Sequence, residues 1–221
     1  MSMIANECEI WKALHNAGFN DIASAGILAN MHAESHLKSN NVQNSYESKV
    51  GSDEVYTRKI NERAYTRDQF ANDHAGYGLC QWTYHTRKSA LYDFVMVRSG
   101  NIANITDQVL FLAQECRSSG LFDKLNRCVT PYDAGVLFML QFEKPKNQTV
   151  TAQKMRGELA IRFYNDNVST VNLAQRDYNL DRLYELVQDT LAGKYGNGEV
   201  RAVALGDDYE IVQKIINHIS K

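Results

Sequence analysis

The chain has 221 residues, 44% of them hydrophobic and 23% charged, with a formal net charge of -2. This composition is ordinary for a globular protein and leaves room for one medium domain plus a small one. With no basic stripe to neutralise phosphates it argues against a nucleic-acid binder, and no run approaches the ~18 apolar residues of a membrane span.

The first segment, MSMIANECEIWKALHNAG, is amphipathic. It lacks the basic start and unbroken apolar stretch of a signal peptide, so the expectation is synthesis in a cytoplasm without a leader. Ile4, Cys8, Trp11 and Leu14 form one helical stripe, which Gly18 stops. Asn20 is placed to cap a second helix carrying Ile22, Gly26, Ala29 and Ala33 at roughly four-residue steps. Its small residues predict tight packing in the middle of a domain, with fraying near Leu37, where KSNNVQNSY is loop chemistry.

A short charged helix is predicted over 53–63. AYTRDQFANDHAGYGLCQW reads as irregular, with room for a short hairpin. Ile105, Val109, Leu112 and Cys116 mark another helix. Thr130 and Pro131 read as the cap and first residue of the next, which KP at 144–145 interrupts. A further helix runs from about Thr151 to Tyr164, and 165–180 has no strong period and reads as a linker. Beyond it, Leu183, Leu186, Val187 and Leu191, then Ile211, Val212, Ile215, Ile216 and Ile219, predict a helical mini-domain with a marginal core. Cys8, Cys80, Cys116 and Cys128 form no CxxC. They read as reduced and mostly buried thiols, although spacing alone leaves a disulfide open.

NMHAESHL, 30–37, sets the chemical question. His32 and His36 are four apart, as two metal ligands on one helix face would be. A zinc protease helix, however, needs H-E-x-x-H. Here Glu34 is two residues from each histidine, about 200° round the helix from either, and no third ligand lies at a familiar spacing. The other reading makes Glu34 the working group. It lies near the C-terminal end of its helix, where the macrodipole disfavours a carboxylate and so favours a general acid.

The second stretch is AGYGLCQW, 75–82. Gly76 and Gly78 permit close backbone approach. Tyr77 and Trp82 offer flat faces for sugar rings, and Gln81 offers an amide for hydroxyl or N-acetyl groups. Read alone, each feature has a plain alternative: a glutamate at a helix end, and a tight turn with core aromatics.

Together these stretches resemble the phage tail-tip lysozymes, within the goose-type lysozyme and lytic transglycosylase group. GILANMHAESHL is similar to the helix carrying the Glu-Ser pair, and GYGLCQW to the Gly-Leu-x-Gln cleft motif. TYHTRKSAL and FMLQFEKP with the later Arg, Ala and Phe-Tyr are also similar. The resemblance covers about residues 4 to 166. It implies a mainly α, lysozyme-like catalytic domain with Glu34 as general acid and Ser35 orienting the site. Tyr77, Gly78, Gln81 and Trp82 would form the sugar subsites, with no metal or other cofactor. His36 departs from the family's frequent glycine, and Cys80 from another small or apolar residue.

Glycoside hydrolysis ordinarily uses two carboxylates. The resemblance implies Asp73 as the water-directing base, with Asp53 and Glu54 in reserve. Each also has a plain role, in a turn or a helix cap. Asp73 favours hydrolysis, but transglycosylation to anhydro products stays open, as does a non-catalytic wall-binding or tail structural protein.

Residues 184–221 resemble one cell-wall-binding repeat of the Cpl-7 type, through LAGKYGNG, Arg201 and DYEIVQKIIN. The resemblance implies a three-helix module that binds peptidoglycan, with Tyr195 as stacking face and Arg201 as a fork for a carboxylate or carbonyl. The expected organisation is a catalytic domain over 1–166, a linker over 167–182 and the wall-binding module over 183–221. The expected partner is bacterial peptidoglycan, with no nucleic acid and no membrane insertion. A phage or prophage endolysin released through a holin, or a tail component, fits this plan; its oligomeric state is left open.

Overall fold

The computed structural model describes residues 3–175 and 180–219. It divides into two compact units, Met1–Val168 and Ser169–Lys221. The architecture is mainly α, as expected. In chain order the first unit contains α1 (Met3–Asn16), α2 (Asp21–Ser35), α3 (Glu47–Val50), α4 (Asp53–Asn61), α5 (Arg67–Asn72), α6 (His85–Arg98), α7 (Ile105–Ser118), α8 (Leu121–Asn126) and α9 (Pro131–Phe138). A π-helical turn (Met139–Glu143) follows α9, and α10 spans Val150–Gln175.

The centre of the first unit is α2. Asn20 caps it by accepting from the Ala23 amide, and every residue from Ala23 to Met31 is buried. The small side chains let α2 lie directly on α9. A Cβ placed on Gly26 would come within 2.6 Å of the Ala134 carbonyl carbon. Asn30, fully buried, fastens the crossing by donating to the carbonyls of Gly26 (2.8 Å) and Gly135 (2.9 Å). Alanine is the better helix former in isolation by about 1 kcal/mol. Overpacking should nevertheless prevail here, and we expect Gly26→Ala to lose roughly 1–3 kcal/mol. The midpoint of urea unfolding measures this, and a variant as stable as the wild type would show that the helices can separate without cost.

Thr130 caps α9 by accepting from Asp133, with Pro131 at the first helical position. Three segments differ from the sequence reading. Thr66 and Gln69 make a reciprocal capping box that starts α5 inside the stretch read as irregular. Helix α6 was not predicted from periodicity, because its polar face is long and few of its side chains are buried: Lys88, Leu91 and Val95. Finally, α10 does not stop near Tyr164 but continues to Gln175, through most of the expected linker. Asn167, buried, donates to Glu7 of α1 (2.8 Å), so the first residue of that linker belongs to the core of the first unit. Residues 176–179 lie outside the described residues. The short hairpin is reduced to one bridge, in which Tyr77 and Trp82 exchange backbone hydrogen bonds (3.1 and 3.0 Å) around a turn over 78–81.

The second unit contains α11 (Leu180–Leu191), α12 (Glu199–Leu205) and α13 (Tyr209–Ile219), the expected three helices. Its core is small: Val187, Leu205, Val212 and Ile216, with Leu183, Leu186, Tyr195 and Tyr209 among those packed round them. All four cysteines are free thiols, with Cys80 and Cys116 buried and Cys8 exposed. No helix among the described residues is long and apolar enough to cross a membrane.

Candidate active site

Helix α2 ends at Ser35, and the chain turns sharply because His36 and Leu37 both take positive φ (51° and 62°). A glycine would hold His36's conformation without strain. Ser35 Oγ, buried, donates to Met31 O (2.9 Å) and to Leu79 O (3.0 Å). The second bond ties the end of α2 to the glycine-rich turn 44 residues away. That turn is held from behind as well. Gly78 has φ of +78°, and a Cβ there would meet the Gln108 amide at 2.7 Å. Gln108 in turn accepts from the Leu79 amide (3.0 Å).

Between the two stretches lies an open cleft of about 740 Å³. Glu34, Gln81, Arg87 and Glu143 line it, with Asn41, Gln43 and Asn44 supplying amide groups. Gln81 donates to Asn41 O (3.0 Å) and Gly78 O (3.1 Å), which commits its nitrogen to shaping the turn.

Two expected sugar platforms are not in the cleft. Tyr77 and Trp82 are fully buried. The Tyr77 hydroxyl bonds Thr57 (2.7 Å), and the Trp82 indole donates to Glu115 (2.9 Å). Both rings are core, with edge contacts to Phe70 and Phe111 respectively. The exposed aromatic on the cleft is Tyr84, at 64% exposure. It lies two residues beyond the motif, at the N-cap of α6.

Asp73 is also elsewhere. It follows the last residue of α5 with its side chain only 6% exposed, in an ion pair with Lys88, whose side chain is fully buried. The Tyr56 hydroxyl donates to the same carboxylate, and Lys88 also donates to Ala75 O (2.7 Å). Asp73 is not among the residues lining the cleft. A carboxylate sealed off with an ammonium cannot direct water onto a sugar, so its assignment as base is corrected to that of a structural partner. Asp53 is likewise occupied, accepting from the Val42 amide (2.8 Å).

Among the charged groups not singled out from sequence, Arg87 and Glu143 line the cleft and Arg156 stands behind Glu34. Arg156, from α10, donates to Glu34 Oε1 (2.9 Å) and to Asn30 (3.1 Å). Arg87, from α6, makes a fork to Glu115 (2.7 and 2.8 Å) and lies over the Phe142 ring. Glu143 closes the π turn. Its Oε1 is shut off from solvent and has no hydrogen-bond partner. Burial, then the charge of Glu34, push its carboxyl up to about 8. The same closed surroundings push the Cys80 thiol well up. Nothing in the spacing of FMLQFEKP announces Glu143, because a π turn looks like the frayed end of an α-helix.

The histidines of the second helix meet edge to face at 5.5 Å, and His32 also packs on Phe163. Burial and then the neighbouring His36 hold the His32 imidazole below its ordinary range. Among the described residues no group of three or more His, Cys, Asp or Glu is placed to hold a metal ion.

In the second unit, Arg201 is not a free fork. Its guanidinium donates to Gly196 O (3.0 Å), Gln213 (3.0 Å) and Asn197 (2.7 Å), fastening the glycine loop to α12 and α13. Tyr195 packs on the small core and bonds Asp189 (3.3 Å). Both hold the module together, a use that sequence alone could not separate from ligand contact.

A family model described as phage tail lysozyme matches residues 5–166. A second, described as a CW_7 repeat, matches residues 184–219. No curated protein and no solved structure matches the chain.

Proposed function

The chain belongs to the phage tail lysozyme family, and from that premise we propose that it hydrolyses the glycan strand of bacterial peptidoglycan. The bond is the β-1,4 linkage from N-acetylmuramic acid to N-acetylglucosamine. The observation that carries this reading is Glu34, which lines an open, amide-walled cleft and is tied through Ser35 to the Gly-Leu-x-Gln turn. Glu34 protonates the leaving oxygen, and Arg156 stabilises the carboxylate that remains. Asn41, Gln43 and Asn44 offer amides to sugar hydroxyl and N-acetyl groups, and Tyr84 offers an exposed ring face.

The C-terminal repeat holds the enzyme at the wall, with the catalytic domain over about 1–166 and the binding module over about 183–221. A single tethered module raises local concentration more than it adds affinity. The chain acts on the cell wall, reaching it by release from a lysing host or on a phage tail.

Clearing of a suspension of bacterial walls tests the assignment. Glu34→Gln should lower the rate by roughly 10²–10⁴-fold, the range of a general acid. Wild-type and variant rates that coincide would remove Glu34 from the chemistry. Mass spectrometry of the muropeptides separates reducing ends, expected here, from the anhydro ends of a transglycosylase.

A further inference from the structure

We propose that Glu143 is the second carboxyl group of this cleft and shares a single proton with Glu34. The inference rests on the reading of Glu34 as the acid. Both side chains line the same cleft, Glu34 from the end of α2 and Glu143 from the end of the π turn. The turn is closed by the Lys144 amide bonding Met139 O (2.9 Å), five residues back, and Lys144 takes the left-handed conformation. Interrupted helices of this kind set a side chain at an angle that a regular helix cannot reach.

The surroundings of Glu143 argue against a structural carboxylate. The charged and titratable groups facing it are Glu34 of α2, Cys80 of the glycine-rich turn, Arg87 of α6, Glu115 of α7 and Arg156 of α10. Both arginines are committed elsewhere, Arg87 in a fork to Glu115 and Arg156 to Asn30 and Glu34. An ionised oxygen buried without a partner is costly, whereas a neutral acid is tolerated. Glu143 therefore holds its proton within the cleft, while Glu34 lies against the Arg156 guanidinium. A carboxyl that keeps its proton near neutral pH beside a second carboxyl is an arrangement that acid–base catalysis can use.

The cycle balances. As the glycan enters, the proton of Glu143 passes to Glu34. Glu34 gives it to the glycosidic oxygen as the bond from the anomeric carbon to that oxygen breaks. Water then bonds to the anomeric carbon, and its surplus proton goes to Glu143. The pair ends as it began, with one proton on Glu143.

The test is wall clearing by wild type, Glu34→Gln and Glu143→Gln from pH 5 to 10. Glutamine copies the neutral form of Glu143, so a purely structural role would survive that substitution. We expect Glu143→Gln to lose about 10²-fold or more of the rate. The wild-type rate should fall as the pH rises past about 8, where Glu143 gives up its proton. A wild-type rate flat from pH 6 to 10 overturns the inference whether or not the variant folds. So does a Glu143→Gln rate within threefold of wild type. An inactive wild type, or an unaffected Glu34→Gln, instead overturns the enzymatic reading itself and this inference with it.

Discussion

Asp73→Ala is expected to lower the stability of the first unit by about 3–5 kcal/mol, because it strands a buried ammonium. Lys88 is fully enclosed; it donates to Asp73 and Ala75 O and lies over the Phe70 ring at 4.3 Å. Burial pushes its ammonium below the usual range, and Asp73 is the neighbour that opposes the shift. Without the carboxylate the folded state holds that proton more weakly still. A lysine depressed on folding leaves the unfolded chain with more bound protons between the two pKa values, so stability rises with pH there. The deficit of Asp73→Ala should therefore narrow as the pH is raised toward 10. For a unit of this size the loss corresponds to about 10–15 °C in Tm near neutrality. Scanning calorimetry at pH 7 and pH 9.5 measures both effects. Below its Tm the isosteric Asp73→Asn should still clear walls within a few-fold of wild type. A collapse of the rate with intact fold would return Asp73 to the reacting groups.

The second large effect has the opposite sign. Glu143 has its folded carboxyl raised to about 8, above the ordinary value of 4.5. Between those values the unfolded chain has lost the proton while the folded chain keeps it, so wild-type stability declines as the pH rises through that window. Glu143→Gln removes the titration. The variant should match wild type near pH 4, pull ahead as the pH rises through that window, and lead from about pH 8 upward by a difference on the order of 5 kcal/mol at full strength. Melting temperatures across pH 4–9 would show the curves diverging, and parallel curves would mean that the carboxyl is solvated. A more stable but slower protein is the usual signature of a group kept for chemistry.

Much of the frame was legible because local signals and burial agreed. Asn20 and Thr130 sit where short polar side chains cap helices, and the small residues of α2 predicted the close crossing that Gly26 and Asn30 make. Glu34 and Ser35 were legible through resemblance, which placed them on the helix end where they stand. The misses share a cause: the chemistry of a residue depends on which neighbours are already engaged. Tyr77 and Trp82 looked like platforms, but both rings are spent in the core. Asp73 looked like a base, but a lysine fifteen residues on is buried against it. Arg201 looked like a free fork, but three local acceptors take its donors. Tyr84 and Glu143 lie within the similar stretches TYHTRKSAL and FMLQFEKP, but no spacing or residue pattern there marks either as a cleft residue.

The π turn has one residue more than a regular ladder over the same span would hold. Each residue advances a helix by about 100°, so deleting any one of positions 139–142 would let the ladder close four back and swing the acidic side chain away from the cleft it lines. Exchanging those residues for other helix formers, by contrast, would leave its bearing intact. The placement of this carboxyl is thus written in the count of codons upstream of it, and an in-frame loss of a single triplet would be a more severe lesion than most missense changes in the same stretch.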